Sequence, residues 1–398
     1  MNREYRTVAA IAAVWFSCGN ASAQFVDNFN GPAIHKDWAF MTGEGAAAMQ
    51  FEQRDGYASI LVDATGDKRG IWWALIKRNV ATALDLRLLE KPGFAIRVEA
   101  RIRVSDAPRR VNLSLNTQRT TDFHKDLMEF DIPDNAGWHT ISFTDPTLVA
   151  RPGDTLNAQL ALMDWGLGKY RVDIDYYRVD VVDVSKAGPD KGAAVPYRPP
   201  IRSPADFSEK MPVSQDTTLD LAFSDVNLNT WHVTEEGHEI PVLTVDGNQW
   251  VILRWDLSAW RGKQAEDSGL LELTTHSVVN ASTSMQDFGG MRVAEILGGD
   301  PAWDQKSVTP DTLLRGRPID EIINPQMFID VEVAEDTLPV ERGSKVLVTI
   351  SRPVLQRLLD GRTNGIALKP LGAIIASFYA SEYENGRLAA RLLFNVSR

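Results

Sequence analysis

The chain has 398 residues, 53 acidic against 42 basic side chains, a formal charge of -11, and a composition of 44% hydrophobic and 24% charged residues. That length accommodates two domains, each able to bury its own core, and excludes a disulfide-stapled mini-protein. The acidic balance repels polyphosphate and makes nucleic acid an unfavourable partner, and past the N-terminal segment no apolar run approaches the roughly 20 residues needed to cross a bilayer.

At the N-terminus, Arg3 and Arg6 precede an apolar stretch from Thr7 to Phe16, and Ala21-Ser22-Ala23 offers a small-x-small cleavage site. Residues 1–23 read as a secretory signal peptide, too short for a membrane anchor, so the mature chain is expected to begin at Gln24 in a secreted or periplasmic location. The single cysteine, Cys18, leaves with that segment. Disulfides, thiolate zinc sites and cysteine nucleophiles are then not expected in the mature chain.

Residues 24–185 alternate with the period of two expected of half-buried strands, most clearly in Phe94 to Val104, Val111 to Thr117, Trp138 to Phe143, Leu156 to Met163 and Tyr170 to Val184. In Ile71-Trp-Trp-Ala-Leu-Ile76 alternation sends one of Trp72 and Trp73 to the core and the other outward; Trp72 is taken as a candidate for stacking on a sugar ring. Arg97, Glu99, Arg101 and Arg103 alternate with Ile96, Val98, Ile102 and Val104, a row read as the wet face of a sheet.

The segment from Arg109 to His124 is the densest in chemistry. As a strand it sends Val111, Leu113, Leu115 and Thr117 to the core and lines the other face with Arg110, Asn112, Ser114, Asn116 and Gln118. Amides donate and accept in the plane of sugar hydroxyls, and arginine forks onto carboxylate or sulfate, so Asn112, Asn116 and Gln118 are candidate carbohydrate ligands. Arg119, His124 and, further on, His139 are candidates for a lyase: a cation against a uronate carboxylate and a base whose pKa lies near neutrality. The bland reading of both histidines is structural. A hydrolase would use two carboxylates, for which Asp122, Asp126, Glu129 and Asp131 are merely near one another in sequence. Met163-Asp-Trp-Gly166 ends a strand and places Asp164 and Trp165 as candidates for the binding rim.

Phe25-Val-Asp-Asn-Phe29 and Val172-Asp-Ile-Asp-Tyr-Tyr-Arg-Val179 look like the opening and closing strands of secreted jelly-roll sugar-binding modules, which lie side by side. At such a junction Asp27, Asp173 and Asp175 are candidate ligands for a structural calcium ion, the alternative being a solvated row.

Residues 186–213 collapse into Lys-Ala-Gly-Pro-Asp-Lys-Gly followed by Pro196, Pro199, Pro200, Pro204 and Pro212, a proline-rich linker. Residues 214–398 are again strand-rich, with one helix signal: Ser351 as N-cap, Arg352-Pro353 in the first turn, an apolar stripe through Val354, Leu355, Leu358 and Leu359, and Gly361 beyond. The fold class expected is all-β, two β-sandwich (jelly-roll) domains joined by the linker.

Four ordered segments of this second half carry a family resemblance: Trp250-Val-Ile-Leu-Arg-Trp-Asp-Leu-Ser258, Leu270-Leu-Glu-Leu273, the helix with Asp360-Gly361 and Asn364-Gly-Ile-Ala-Leu368, and the closing pair Ala376 to Glu382 and Leu392-Leu-Phe394. They resemble DNRLRE-type carbohydrate-binding domains. The resemblance implies a jelly roll appended to secreted enzymes acting on anionic or algal-type polysaccharides, and binding more readily than catalysis. Arg254 and Asp256 are read as a structural pair.

Two functions follow from these features. One is a polysaccharide-recognition protein of a glycan-degradation system, with two modules giving avidity through the linker. The other is a polysaccharide-cleaving enzyme, a β-elimination lyase before a glycoside hydrolase, with its site on the first domain. No Gly-x-Ser-x-Gly elbow and no glycine-rich phosphate loop occurs, so an esterase and nucleotide cofactors are not indicated.

Overall fold

The computed structural model describes residues 24–397 except 43–47, 67–73, 123, 164–165, 167, 197–198, 281–288 and 333–340. The expected signal segment, residues 1–23, lies outside them, as do Trp72, Asp164 and Trp165. The chain is all-β and forms two sandwiches.

In the first, the strands are β1 Gln24–Asp27, β2 Ala39–Thr42, β3 Ala48–Arg54, β4 Tyr57–Asp63, β5 Ala74–Asn79, β6 Phe94–Val104, β7 Arg109–Thr117, β8 Leu127–Ile132, β9 His139–Asp145, β10 Leu156–Met163, β11 Lys169–Asp183 and β12 Ala194–Val195. One sheet runs β3-β4-β11-β6-β9 with β1 also on β11, and the other runs β12-β8-β7-β10-β5-β2. All pairings are antiparallel, so one face of each sheet packs inward and the other is available to ligand. Ile60, Ile96, Leu113, Phe130 and Tyr177 fill the space between the sheets, each less than 2% exposed. Buried side chains of this size contribute about 1.5–3 kcal/mol each.

The second sandwich comprises β13 Glu209–Pro212, β14 Gln215–Asp220, β15 His232–Glu235, β16 His238–Val245, β17 Gln249–Arg254, β18 Gly269–Asn280, β19 Gly289–Ile296, β20 Ile323–Glu332, β21 Lys345–Ile350, β22 Ile366–Gly372, β23 Ile374–Tyr379 and β24 Arg391–Phe394, with helices α1 Pro310–Leu314 and α2 Arg352–Leu359. Its sheets run β13-β24-β18-β23-β16-β15, with β21 on β18, and β14-β17-β22-β19-β20. The four family-like segments become β17, β18, α2 with β22, and β23 with β24. Val251, Leu253, Trp255 and Leu257 enter one core, as alternation requires.

Two local expectations differ from the structure. Ser351 sits at the N-cap of α2, but its hydroxyl is buried without a partner. A capping hydroxyl accepts from the second or third helical N–H, and Pro353 at the second position has none. The Arg254–Asp256 pair does not form among the described residues. Asp256 turns to accept from the Ser258 amide at 3.1 Å, while Arg254 lies 4.7 Å over the Trp303 ring and donates to the Pro301 carbonyl.

Much of the stretch read as linker belongs to one sandwich or the other. Residues 187–190 strap the outer face of the first sheet, where Arg97 donates to the carbonyls of Ala187, Gly188 and Pro189. Strand β12 then pairs with β8. Gly192 between them has φ +92°, and a Cβ there would meet the Ile141 side chain at 2.8 Å, so only glycine closes the chain against this edge. From Ser203 the chain belongs to the second sandwich: Phe207 packs on Leu270 and Leu393, and β13 pairs with β24.

The two sandwiches touch through α2. Arg362 reaches Asp106 at 3.5 Å, Gln264 donates to the Pro133 carbonyl, and Gly166 lies against the Arg357 side chain. Their hydrophobic cores are nevertheless separate, one drawn from residues 25–181 and the others from residues beyond 206. Fragments 24–195 and 203–398, expressed apart, are each expected to unfold in a cooperative thermal transition. Non-cooperative melting of both fragments would mean that the cores are interdependent.

Candidate functional site

The outer face of the β8-β7-β10-β5 sheet is built by alternation. Inward go Val111, Leu113 and Leu115 of β7 and Ala158, Leu160 and Leu162 of β10. Outward, the register sets Asn116 opposite Asn157, Ser114 opposite Gln159, and Asn112 beside Glu129, with Arg110 beside Asp131. These outward side chains are nonetheless largely buried: Asn112 is 5% exposed, Asn116 7% and Gln159 9%. Asn157 donates to the Asn116 side-chain oxygen Oδ1 at 3.3 Å. Among the described residues the buried Asn112 Oδ1 atom has no hydrogen-bond partner. A buried acceptor left unmade costs about 1–3 kcal/mol.

The arginine of this face is already engaged by carboxylates. Arg110 forks onto Asp131 at 2.9 and 3.0 Å and reaches Glu129 at 3.0 Å. The face therefore presents amides and fixed acceptors, which suits sugar hydroxyls better than it suits an anion.

The other predicted residues lie elsewhere. Gln118 and Arg119, past the end of β7, both hold Asp154: Gln118 at 2.5 Å and Arg119 at 2.7 and 3.1 Å. Gln118 also accepts from the Thr155 amide and hydroxyl. His124 is exposed in a turn beside Asp122, at 3.3 Å. His139 opens β9 on the opposite sheet and contacts Asp134 at 3.1 and 3.2 Å. Arg119, His124 and His139 thus have three separate sets of partners.

The carboxylates expected for calcium are each met by arginine. Asp27 accepts from Arg78 at 3.0 Å and from the Trp38 indole at 2.8 Å; Asp173 from Arg103, Arg171 and Ser59; and Asp175, at a bulge in β11, from Arg101 at 2.8 Å. Among the described residues no three His, Cys, Asp or Glu side chains converge as metal ligands.

Of the acids between Asp122 and Asp131, Glu129 and Asp131 serve Arg110, and Asp126 sits beside Asp145 at the edge of the sandwich. Burial, then repulsion from Asp145, pushes the Asp126 carboxyl up to about 6. Asp145 accepts from the Thr147 amide and hydroxyl and from the Leu148 amide. A carboxyl whose pKa is raised on folding stabilises the native state where it is protonated and loses that advantage as pH rises from 3.8 through about 6. Asp126→Asn is expected to gain about 1–2 kcal/mol at about pH 8 and close to nothing at about pH 4. Thermal denaturation at the two pH values checks this, and an equal change at both would contradict it.

Asn157 and Gln159 complete the amide row without having been singled out in the sequence. Alternation through Leu156 to Met163 carried the signal, but only the pairing of β10 with β7 sets them beside Asn116 and Ser114. A second feature also emerges on the opposite sheet: Trp138 and Tyr57 meet edge to face at 6.0 Å, with Arg103 stacked 4.7 Å over Trp138.

No family model and no curated protein matches this chain. Among solved structures it is similar to one described as "CBM4 structure and function" (15% identity, 39% of this chain and 97% of that one, TM-score 0.27). It is also similar to a family 11 carbohydrate-binding module from Clostridium thermocellum in complex with a β-1,3-1,4-mixed-linked tetrasaccharide (10%, 39% and 95%, 0.25). A third is the CBM22-1-CBM22-2 tandem domain of Paenibacillus barcinonensis Xyn10C (11%, 94% and 96%, 0.25). At these identities and TM-scores the likeness carries no weight for what this chain binds.

Proposed function

We propose that the chain is an exported polysaccharide-recognition protein whose first sandwich takes the hydroxyls of a glycan along the amide row Asn112, Asn116, Asn157 and Gln159. The unpartnered, buried Oδ1 of Asn112 within that row is the observation that carries the reading. A face meant only for solvent would carry exposed Lys and Glu, whereas this one carries buried amides with spare hydrogen-bonding capacity. Trp72 and Trp165 remain the stacking partners proposed from sequence for the same domain.

The reading extends to an acidic or algal-type polysaccharide in a glycan-degradation system, supported by the resemblance of the second half to DNRLRE-type domains. Export is inferred from residues 1–23, and a structural calcium ion is proposed at Asp27, Asp173 and Asp175. Affinity electrophoresis of the full chain through neutral, carboxylated and sulfated polysaccharides, with parallel assays for released unsaturated products and reducing ends, tests it. Retardation by at least one glycan without product release is the expected result; free migration in all of them would refute recognition, and product release would make the chain an enzyme.

A further inference from the structure

The second sandwich has a cleft of about 630 Å³ between the start of β14, the end of β17 and the turn that follows α2. That volume is within the range of ~300–1,000 Å³ common for small-ligand sites. Two arginines line it. Arg254 is half-buried, stacked on Trp303, and uses one guanidinium nitrogen on the Pro301 carbonyl. Arg261 is exposed at the rim, and Gly361 makes room for it: a Cβ at this residue, whose φ is +67°, would lie 2.6 Å from an Arg261 nitrogen. Neither arginine forms an ion pair among the described residues, although most described arginines of this acidic chain do. Burial pulls the pKa of Arg254 below its usual value, opposed by the charges of Asp304 and Asp300.

The lining also carries two amides. Gln215 accepts from the Gln305 backbone N–H at its side-chain oxygen, and Asn364 donates from its side chain to the Gly298 carbonyl. The buried indole N–H of Trp255, another lining residue, has no partner. Asp256 is the one carboxylate in the lining. A guanidinium offers up to five donors in a planar fork that matches an oxyanion, and side-chain amides supply donors and acceptors for neighbouring hydroxyls.

We propose that this cleft is a second binding site, specific for a sugar residue that carries a carboxylate or a sulfate ester, with Arg254 and Arg261 on the oxyanion and Gln215 and Asn364 on hydroxyls. The site lies on a different domain from the amide row and does not depend on it. It places the selection for charge in the second sandwich, while the first, whose arginine is consumed by Glu129 and Asp131, reads hydroxyls.

Isothermal titration of the full chain tests it with four probes: a galacturonate tetrasaccharide, a sulfated tetrasaccharide, a neutral tetrasaccharide and inorganic sulfate alone. At least one charged tetrasaccharide is expected to bind with an affinity that falls as salt rises, and Arg261→Gln is expected to weaken it at least ten-fold. Arg254→Gln should do the same where it folds; Arg261, being exposed, supplies the variant that keeps the native fold. Arg261→Gln should leave any affinity for the neutral tetrasaccharide within about two-fold, which separates failure of the cleft from failure of the amide row. The proposal is overturned if neither charged tetrasaccharide binds, if the neutral one binds equally well, if inorganic sulfate binds as tightly, or if folded Arg261→Gln retains wild-type affinity.

Discussion

Arg357→Ala is expected to cost about 3–5 kcal/mol of stability, because it removes one member of a buried ion pair and leaves the other in the interior. Arg357 on α2 is 5% exposed and forks onto Glu295 of β19, which is fully buried, at 2.9 and 2.8 Å. The pair ties the helix to the sheet it covers, and the same side chain lies against Gly166 of the first sandwich. The fork offsets part of the cost of taking the Glu295 carboxylate out of water, and the truncated protein loses that part. Replacing both residues by Met should recover much of the loss, since two apolar side chains leave no charge stranded. Chemical denaturation of the two single variants and the double variant checks this; a loss under about 1 kcal/mol for Arg357→Ala would show that the pair is solvated.

The second large effect is expected at Arg110. Its guanidinium is the shared counter-ion of Glu129 and Asp131, and all three residues are less than 9% exposed. Arg110→Ala leaves two adjacent carboxylates facing each other, and the expected loss is again about 3–5 kcal/mol near neutral pH. Unfolding curves at about pH 7 measure the loss; a cost under about 1 kcal/mol would contradict the arrangement. Because Asn112 lies between Arg110 and the other amides on β7, glycan affinity should fall with this variant as well.

Strand identity and facing were legible wherever one element determined them. The period of two from Val111 to Thr117 was enough to send Val111, Leu113 and Leu115 inward and Asn112 and Asn116 outward, because facing within a strand is a local property. Partnerships between distant segments were not legible. Gln118 and Arg119 continue the same polar run, yet Asp154, some thirty-five residues further on, draws both into a clip beyond the strand end. Arg97 read as a solvent-facing arginine but is capped by carbonyls about ninety residues later. Composition could not separate these cases, since a polar side chain on an outward face looks the same in sequence whether solvent, a strap or a ligand covers it. The cleft arginines illustrate the same limit: Arg254 was assigned to Asp256 by proximity along β17, while Trp303 and Pro301 supply its actual surroundings.

The amide row is the central claim, and the change in affinity on removing two of its members tests it most directly. With a polysaccharide that retards the wild-type chain, the full-length variant Asn112→Ala with Asn116→Ala should bind at least ten-fold more weakly while its thermal transition stays cooperative, each lost hydrogen bond contributing about 1 kcal/mol or more. Wild-type affinity in a natively folded double variant would contradict the account and return this face of the first sandwich to ordinary structure.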